Sequence, residues 1–235
     1  MQSESEEWKG PADEKAKFAW KRLECNFPHG DFEELKAFYE TWAQHYDNDV
    51  LAIGYGAPKA ITEEALIVCD EEAKKSWKVL DLGSGTGMVG KELHDNGFRG
   101  PMTALDYSNA MLDKAMQLPG VFSSKILHCF TPESSLPVSE STYDMVVCAG
   151  GFGPDTLVVN CIPDVFRVLK PGGYFINTMR TSDFMVTFKE NFEMKIDDLI
   201  KAGIAERIAI KPYYQYQWDT DKMPGTMGVY RKAKV

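Results

Sequence analysis

Three glycines at alternate positions follow a short apolar run that ends in a carboxylate. The segment reads Val79-Leu80-Asp81-Leu82-Gly83-Ser84-Gly85-Thr86-Gly87. Glycine has no Cβ, so its backbone adopts positive φ readily and can approach a ligand closely. Where a strand passes through such a loop into a helix, free backbone N–H groups at the positive end of the helix dipole face outward. The segment therefore predicts a site for a nucleotide-like cofactor.

The same glycines fit two different cofactors. Gly85-Thr86-Gly87-Met88-Val89-Gly90 satisfies the dinucleotide motif GxGxxG, and Asp106 follows Gly85 by about 20 positions, the spacing of a ribose-binding carboxylate. Asp81, however, stands at the end of the strand, where it would repel an anionic pyrophosphate. S-adenosylmethionine has no phosphate and carries an ammonium and a sulfonium. The charge of Asp81 favours S-adenosylmethionine, and a NAD- or FAD-dependent oxidoreductase is the alternative.

Four motifs in chain order resemble the class I S-adenosylmethionine-dependent methyltransferase domain over residues 78–179, about 100 of the 235 residues. They are the glycine loop, Ala104-Leu105-Asp106-Tyr107-Ser108 leading to Met111-Leu112, Tyr143-Asp144-Met145-Val146-Val147-Cys148, and Arg167-Val168-Leu169-Lys170-Pro171-Gly172-Gly173. Upstream, Tyr39-x-x-Trp42-Ala43-x-x-Tyr46-Asp47 and Tyr55-Gly56-Ala57-Pro58 are similar to the Williams–Beuren-region methyltransferase-like proteins.

The resemblance implies roles for the residues of the glycine loop and for both aspartates. The backbone of the loop, from Gly83 and Ser84 through Gly85 to Gly87, would lie against the methionine and ribose parts of the cofactor. Asp106 would accept hydrogen bonds from both ribose hydroxyls, which suits a carboxylate with two oxygens. Asp81 would lie near the methionine ammonium. S-adenosylhomocysteine would be the product.

Further implied contacts come from segments outside the loop. Tyr107 and Met111, with Ser108 between them, would lie along the adenine, where methionine suits a ring face. Tyr46 would close over the cofactor, and Cys148-Ala149-Gly150 would form the floor beside the reacting methyl group.

The adenine contact departs from the family pattern. An acidic residue often follows the third strand in this family and binds the adenine amine, but here the run is His128-Cys129-Phe130-Thr131-Pro132. We expect backbone groups near Phe130 or the Thr131 hydroxyl to replace the carboxylate.

Methyl transfer from a sulfonium mainly requires that the nucleophile and the methyl group be aligned. A base is needed only if the nucleophile arrives protonated, so the sequence does not have to contain a catalytic pair. The catalytic candidates are His45 and Tyr46, with His128 as a further possible base. The competing interpretation of His45 is a solvated helix residue. The five cysteines contain no CxxC pair, so no metal site is expected.

The formal net charge of −9 argues against a broad nucleic-acid surface. Cys148-Ala149-Gly150-Gly151-Phe152 also lacks the Asn/Asp-Pro-Pro-aromatic box of enzymes that methylate base amines, so DNA is not the expected acceptor. A small molecule is the favoured acceptor and a protein side chain the second, while a non-catalytic partner subunit is a further alternative. No signal peptide or membrane helix is visible, which predicts a cytoplasmic protein, with the nucleus as the other compartment.

Alternating strand and helix patterns must position these residues. They predict an α/β fold: a doubly wound, Rossmann-like mixed sheet of seven strands, the last one antiparallel, with helices on both faces. The predicted strands are 78–82, 102–106, 125–130, 143–148 and 173–179, and then a hairpin of 205–216 and 225–231. The predicted helices are 32–46, 58–69, 87–96, 109–117, 156–169 and 184–202.

The domain organisation follows from these elements. A polar, partly disordered N-terminus (1–26) precedes a single domain over 27–235. This domain consists of a helical lid (27–76), a cofactor-binding core (77–180) and a C-terminal helix and hairpin (181–235). The aromatic residues Tyr213, Tyr214, Tyr216 and Trp218 alternate as in a half-buried strand. We expect sheet packing for them, and the wall of an acceptor pocket is the alternative.

Overall fold

A computed structural model describes residues 13–25, 32–129, 134–154, 156–218 and 221–234. The strands are β1 (Val79–Leu82), β2 (Met102–Asp106), β3 (Ser124–Leu127), β4 (Tyr143–Ala149), β5 (Leu169–Arg180), β6 (Ala205–Trp218) and β7 (Asp221–Lys232). The helices are α1 (Glu14–Cys25), α2 (Phe32–Trp42), α3 (Tyr46–Ala52), α4 (Ala57–Val68), α5 (Glu71–Ser76), α6 (Met88–Asp95), α7 (Asn109–Ala115), α8 (Ile162–Val168) and α9 (Val186–Lys201).

The seven strands form one sheet in the order β3-β2-β1-β4-β5-β7-β6. Strands β1 to β5 pair in parallel, and β7 runs antiparallel to both β5 and β6. The predicted fold class is therefore confirmed, including the antiparallel last strand. The carboxyl ends of β1, β2 and β4 meet at one edge near the centre of this order, which is where open α/β sheets bind ligands.

Two hydrophobic layers cover the sheet. Alternate residues of β1, β4 and β5 pack against α8 and α9 on one face and against α4 and α6 on the other. All four residues of β1 are buried, as expected for a central parallel strand. Asp81 is the one charged residue in β1 and is therefore held in apolar surroundings.

The helix predicted over 32–46 is two helices. A turn at Ala43–His45 separates α2 from α3, so Tyr46 begins α3. Asp49 stabilises this turn because its carboxylate accepts hydrogen bonds from Trp42 Nε1 at 2.7 Å and from the Arg22 guanidinium. The helical spacing of the aromatic residues gave no sign of this break.

Helix α1 lies within the segment predicted to be polar and partly disordered. Its Ala16 and Ala19 are buried, and Trp20 packs on Tyr216 and Trp218 of β6 with ring centroids 5.8 and 5.6 Å apart. The first described helix therefore packs on β6, near the carboxyl end of the described chain. No helix of the described residues is long and apolar enough to cross a bilayer.

Three predicted boundaries near the sheet are wrong. The helix predicted from 156 begins at Ile162, after the 3-10 turn Val159–Cys161, and the strand predicted over 125–130 ends at Leu127. Leu169–Gly173, predicted as a helix-to-strand connection, is the start of β5. Leu169 pairs with Tyr143, and a register shift before Met145 accommodates the extra residues.

Candidate functional site

The glycine loop is tied to β2 by backbone hydrogen bonds. Gly83 N and Ser84 N donate to Leu105 O at 2.8 and 2.9 Å, and Gly85 N donates to Asp106 Oδ2 at 2.9 Å. Gly83 and Gly85 have φ of +67° and +52°, in the left-handed region that favours glycine. A Cβ on Gly85 would meet no atom within 4 Å, so the loop opens onto free space there.

Gly87 is glycine for a different reason. Its φ is +89°, and a Cβ at this position would lie 2.7 Å from the ring of Phe122 and 2.9 Å from Leu118. A Cβ on Gly90 would likewise lie 2.2 Å from the ring of Phe122. At Gly87 the space for a side chain is therefore filled by neighbouring residues, whereas at Gly85 it is open.

Asp106 closes one side of the loop. Its two oxygens accept hydrogen bonds from Gly85 N and Ser108 N, each at 2.9 Å. Burial nevertheless raises the pKa of Asp106 to about 6. Ser108 is buried and caps α7, since its hydroxyl accepts from Met111 N at 3.2 Å. The start of α7 thus places both Ser108 and Met111 next to Asp106.

Asp81 lies in β1, just before the loop, and its carboxylate contacts α6, just after the loop. Its Oδ2 accepts a hydrogen bond from Gly90 N at 3.2 Å, and its Oδ1 is buried and has no hydrogen-bond partner among the described residues. Burial raises the pKa of Asp81 to about 7. A buried carboxylate oxygen without a partner is costly unless a donor or a cation reaches it.

Two hydroxyls near the loop are also buried without a partner in the part of the chain that the structure describes. They are Ser84 Oγ, within the loop, and the Tyr107 hydroxyl, directly after Asp106. The Tyr107 ring packs between Phe32 and Tyr39 of α2, with centroids 5.4 and 5.8 Å away. These groups fit S-adenosylmethionine: a carboxylate for a ribose diol, a carboxylate for an ammonium, and unused hydroxyls beside both.

Two acidic side chains of α2 and α3, in the segment predicted to be a lid, join these helices to α7 and to the glycine loop. Both oxygens of Glu40 accept from the start of α7, from Asn109 N at 2.7 Å and Ala110 N at 3.0 Å. Asp47 accepts a hydrogen bond from the Thr86 hydroxyl, next to Gly85. Neither contact was predicted, because no local pattern shows that these residues meet.

Tyr46 is the first residue of α3 and lies near Asp47 and Asp106. Its ring contacts Trp42 edge to face at 4.8 Å. Burial raises its pKa well above the usual value, and the nearby Tyr39, Tyr216, Asp47 and Asp106 act in the same direction. The hydroxyl of Tyr46 is therefore protonated at neutral pH and can donate a hydrogen bond but cannot act as a base.

The three residues of the predicted floor differ in burial: Cys148 is buried, Ala149 is half-buried and Gly150 is exposed. Cys148 is fully buried, and burial raises the pKa of its thiol, so it is a neutral core residue. Ala149 O accepts from the Tyr55 hydroxyl at 3.1 Å, and Gly150 N donates to Thr178 O and Oγ1 at 3.0 and 3.1 Å. Gly151 Cα lies 3.8 Å from where a Cβ on Gly83 would stand, so this floor adjoins the loop.

The remaining predicted residues receive less support. His45 is exposed and precedes α3 without capping it. His128 is half-buried, and burial lowers the pKa of its imidazole. Its backbone N–H donates to the backbone O of Asp106 at 3.0 Å. Phe130 and Thr131 lie outside the described residues, so the expected adenine contacts stay predictions.

Known proteins resemble this chain in sequence. A family described as a methyltransferase domain matches residues 79–173. Human methyltransferase-like protein 27 is 34% identical over 193 residues, which cover 81% of this chain and 77% of that protein. A demethylmenaquinone methyltransferase from Deinococcus radiodurans is 29% identical over 63% of each chain.

Solved structures share the fold. The methyltransferase bound to the Trm112 methyltransferase activator of Haloferax volcanii has a TM-score of 0.62 at 16% identity, with 83% of this chain and 96% of that one covered. An S-adenosylmethionine-dependent O-methyltransferase from Thermotoga maritima has a TM-score of 0.51 at 17% identity, with 75% and 65% covered. None of these similarities supports the dinucleotide oxidoreductase considered above.

Proposed function

This chain belongs to the class I S-adenosylmethionine-dependent methyltransferases, and on that premise we propose that it transfers a methyl group from S-adenosylmethionine to a small-molecule acceptor. The observation that carries the proposal is the pair of buried aspartates next to the glycine loop: Asp106, which accepts from Gly85 N, and Asp81, whose Oδ1 has no partner among the described residues. We assign the ribose diol to Asp106 and the ammonium to Asp81.

Each residue then has a role in binding. Gly85 gives the ligand access to the backbone of the loop, Asp106 holds the ribose, and Asp81 holds the ammonium. Ser84 and Tyr107 offer hydroxyls to the bound molecule. When bound, S-adenosylmethionine supplies a methyl group on a sulfonium, whose carbon–sulfur bond breaks with its electron pair on sulfur as the acceptor bonds to the methyl carbon.

The residues that surround the floor align the acceptor and exclude water. Tyr39, Tyr46, Tyr55 and Tyr216 come from the lid and from β6, and burial raises the pKa of Tyr39, Tyr46 and Tyr55. With neutral phenols and a neutral Cys148, the described residues at the floor include no strong base. The acceptor therefore enters with a free lone pair or as an anion.

A small acceptor fits this enclosure better than a protein side chain does. Helix α1 and the end of β6 pack together above the floor, and Gln215 and Tyr216 are buried. The D. radiodurans relative is named for a small-molecule acceptor, demethylmenaquinone. A protein side chain remains the second candidate.

A methyl-transfer screen tests the proposal. The protein is incubated with methyl-labelled S-adenosylmethionine and a cell extract, and protein, RNA and small molecules are then separated. We expect label in the small-molecule fraction with wild type, loss of label with Asp106→Ala, and no change with Asp95→Ala, an exposed aspartate at the end of α6. Label in the protein fraction would favour the second acceptor class, and binding of the cofactor without any labelled product would favour a non-catalytic partner subunit.

A further inference from the structure

Gln215 is the extra residue of a β-bulge beside the floor. Tyr214 pairs with Pro224 and Tyr216 pairs with Met223, which leaves Gln215 unpaired between them. Bulges next to active sites often redirect a side chain. Gln215 is only 4% exposed although its side chain is polar, and its backbone O accepts from Gly56 N at 3.0 Å. The bulge therefore directs the carboxamide of Gln215 into the interior of the protein.

A chain of hydrogen bonds fixes the orientation of this carboxamide. Gly150 N donates to Thr178 Oγ1 at 3.1 Å, the Thr178 hydroxyl is hydrogen-bonded to the Tyr213 hydroxyl, and the Tyr213 hydroxyl donates to Gln215 Oε1. The Tyr213 hydroxyl is the donor in this contact, so Oε1 is the accepting atom of the amide. Nε2 is then left with its two N–H groups as donors.

Nε2 points at the floor beside the cofactor loop. It lies 3.2 Å from the position that a Cβ on Gly150 would take, as does the Tyr55 hydroxyl. The neighbouring backbone groups are already used, since Gly150 N binds Thr178 and Ala149 O accepts from Tyr55. Among the described groups at this point, the N–H groups of Gln215 Nε2 are the hydrogen-bond donors that remain for a ligand.

We propose that Gln215 Nε2 donates a hydrogen bond to an oxygen of the methyl acceptor, and that the acceptor is an oxygen acid (a phenol, an enol or a carboxylic acid) bound as its anion. The inference rests on the function proposed above and names its substrate class. An amine nitrogen has one lone pair, so an amine held by Nε2 could not attack the methyl carbon. An oxygen anion has further lone pairs, and an enolate or phenolate can also react at the conjugated carbon.

The charges and atoms balance in this reaction. The anionic acceptor forms the new bond to the methyl carbon, and sulfur keeps the electron pair of the broken bond and becomes a neutral thioether. An O-methylated product is neutral without giving a proton to the protein. A C-methylated enolate is a neutral ketone. A C-methylated phenolate first gives a neutral dienone, which becomes the phenol when water removes the ring proton and returns a proton to the oxygen.

The first test is the identity of the methylated atom. Labelled products from the small-molecule fraction of a cell extract are identified by mass spectrometry and NMR. We expect the methyl group on oxygen, or on carbon conjugated to an oxygen. A product methylated on nitrogen or sulfur overturns the assignment of Gln215, and no product with wild type contradicts the proposed function instead.

The second test uses variants of Gln215 with the acceptor found in the first. Gln215→Leu removes the donor, and Gln215→Glu places a carboxylate oxygen in its position. We expect kcat/KM for the acceptor to fall about 10- to 100-fold in both, mainly through KM, because a hydrogen bond to a charged group is lost. Calorimetric affinity for S-adenosylhomocysteine should stay within about 2-fold of wild type.

A matched control and a direct readout complete the design. Gln217→Leu changes an exposed glutamine two residues along the same strand and should leave both constants unchanged. In protein labelled with ¹⁵N-glutamine and loaded with S-adenosylhomocysteine, the acceptor should shift the side-chain amide signal that Gln215→Leu removes. An unshifted signal, or a Gln215→Leu variant with wild-type acceptor KM, overturns the proposal.

Discussion

Asp81 and Asp106 show how the fold turns two ordinary carboxylates into ligands for different parts of one molecule. Both are buried, and burial raises both pKa values, to about 7 and about 6. Asp106 is partly compensated by two backbone N–H groups, whereas Asp81 has one such group and an unpartnered oxygen. Ionised Asp81 therefore destabilises the ligand-free protein more than Asp106 does, and it is stabilised more by a bound cation.

We expect Asp81→Asn to stabilise the ligand-free protein while weakening cofactor binding. Because the pKa of Asp81 is raised in the folded state, its contribution to stability is lost as pH rises from about 4 to about 7. At pH 8 the free energy of unfolding of the variant should therefore exceed that of wild type by about 1 to 3 kcal/mol.

The affinity of the same variant for S-adenosylmethionine should fall about 10-fold or more, because it offers no charge to the ammonium. Urea unfolding and calorimetry at pH 8 measure the two effects. Asp95→Asn, an exposed substitution on α6, serves as the control. A variant that is less stable and binds as well as wild type would contradict this role for Asp81.

Cofactor binding should depend on pH through the same groups. Asp81 must be ionised to pair with a cation, so affinity should rise between about pH 6 and pH 8 and then level off. Binding at pH 6.5 should release a proton, since a bound cation lowers the pKa of Asp81. Calorimetry in two buffers with different ionisation enthalpies measures this release, and equal heats in both buffers would refute it.

The lid is held by charged contacts to two elements of the cofactor-binding core. Glu40 on α2 binds the first N–H groups of α7, and Asp47 on α3 binds Thr86 in the glycine loop. Gly54, between α3 and α4, lies so close to β6 that a Cβ would stand 1.8 Å from Gln217 O. The segment predicted to be a lid is therefore positioned by contacts with α7, the glycine loop and β6.

Removal of the Glu40 carboxylate should loosen the lid over the cofactor. We expect Glu40→Ala to lower the affinity for S-adenosylhomocysteine about 3- to 10-fold and to increase amide hydrogen exchange at Asn109 and Ala110, whose donors lose their partner. Glu33→Ala, an exposed change in the first turn of the same helix, should alter neither. Unchanged exchange in α7 would show that the contact does not hold the lid.

Alanine substitutions at Gly54 and Gly203 distinguish two effects on the free energy of unfolding, the close approach of Gly54 to β6 and backbone strain at positive φ. Gly54 and Gly203 both have positive φ, +64° and +71°, but a Cβ on Gly203 would meet no atom within 4 Å. We expect Gly203→Ala to cost about 1 kcal/mol of stability from its conformation alone. Gly54→Ala should cost at least about 2 kcal/mol more, measured by urea unfolding, because the loop must separate from β6. Equal costs would disprove the close approach.

The cover over the site joins α1 and the loop before α4 to β6, far away in the sequence, and this explains what the sequence could predict. Strands β1 to β4, the glycine loop and Asp106 follow from local patterns, since hydrophobic runs and glycines act within a few residues. The contacts of Tyr55 with Ala149 and of Gln215 with the space over Gly150 join distant parts of the chain. A bulge that turns Gln215 inward has no local signal in a strand of alternating aromatic residues.

The measurement that tests the central claim most directly is calorimetric titration of S-adenosylmethionine into the ligand-free protein at pH 8. The account predicts one site per chain with an affinity in the micromolar range, and its loss in Asp106→Ala. It also predicts that NAD⁺ produces no binding heat at the same concentrations. Absence of S-adenosylmethionine binding at millimolar concentration, or tighter binding of NAD⁺, would contradict it.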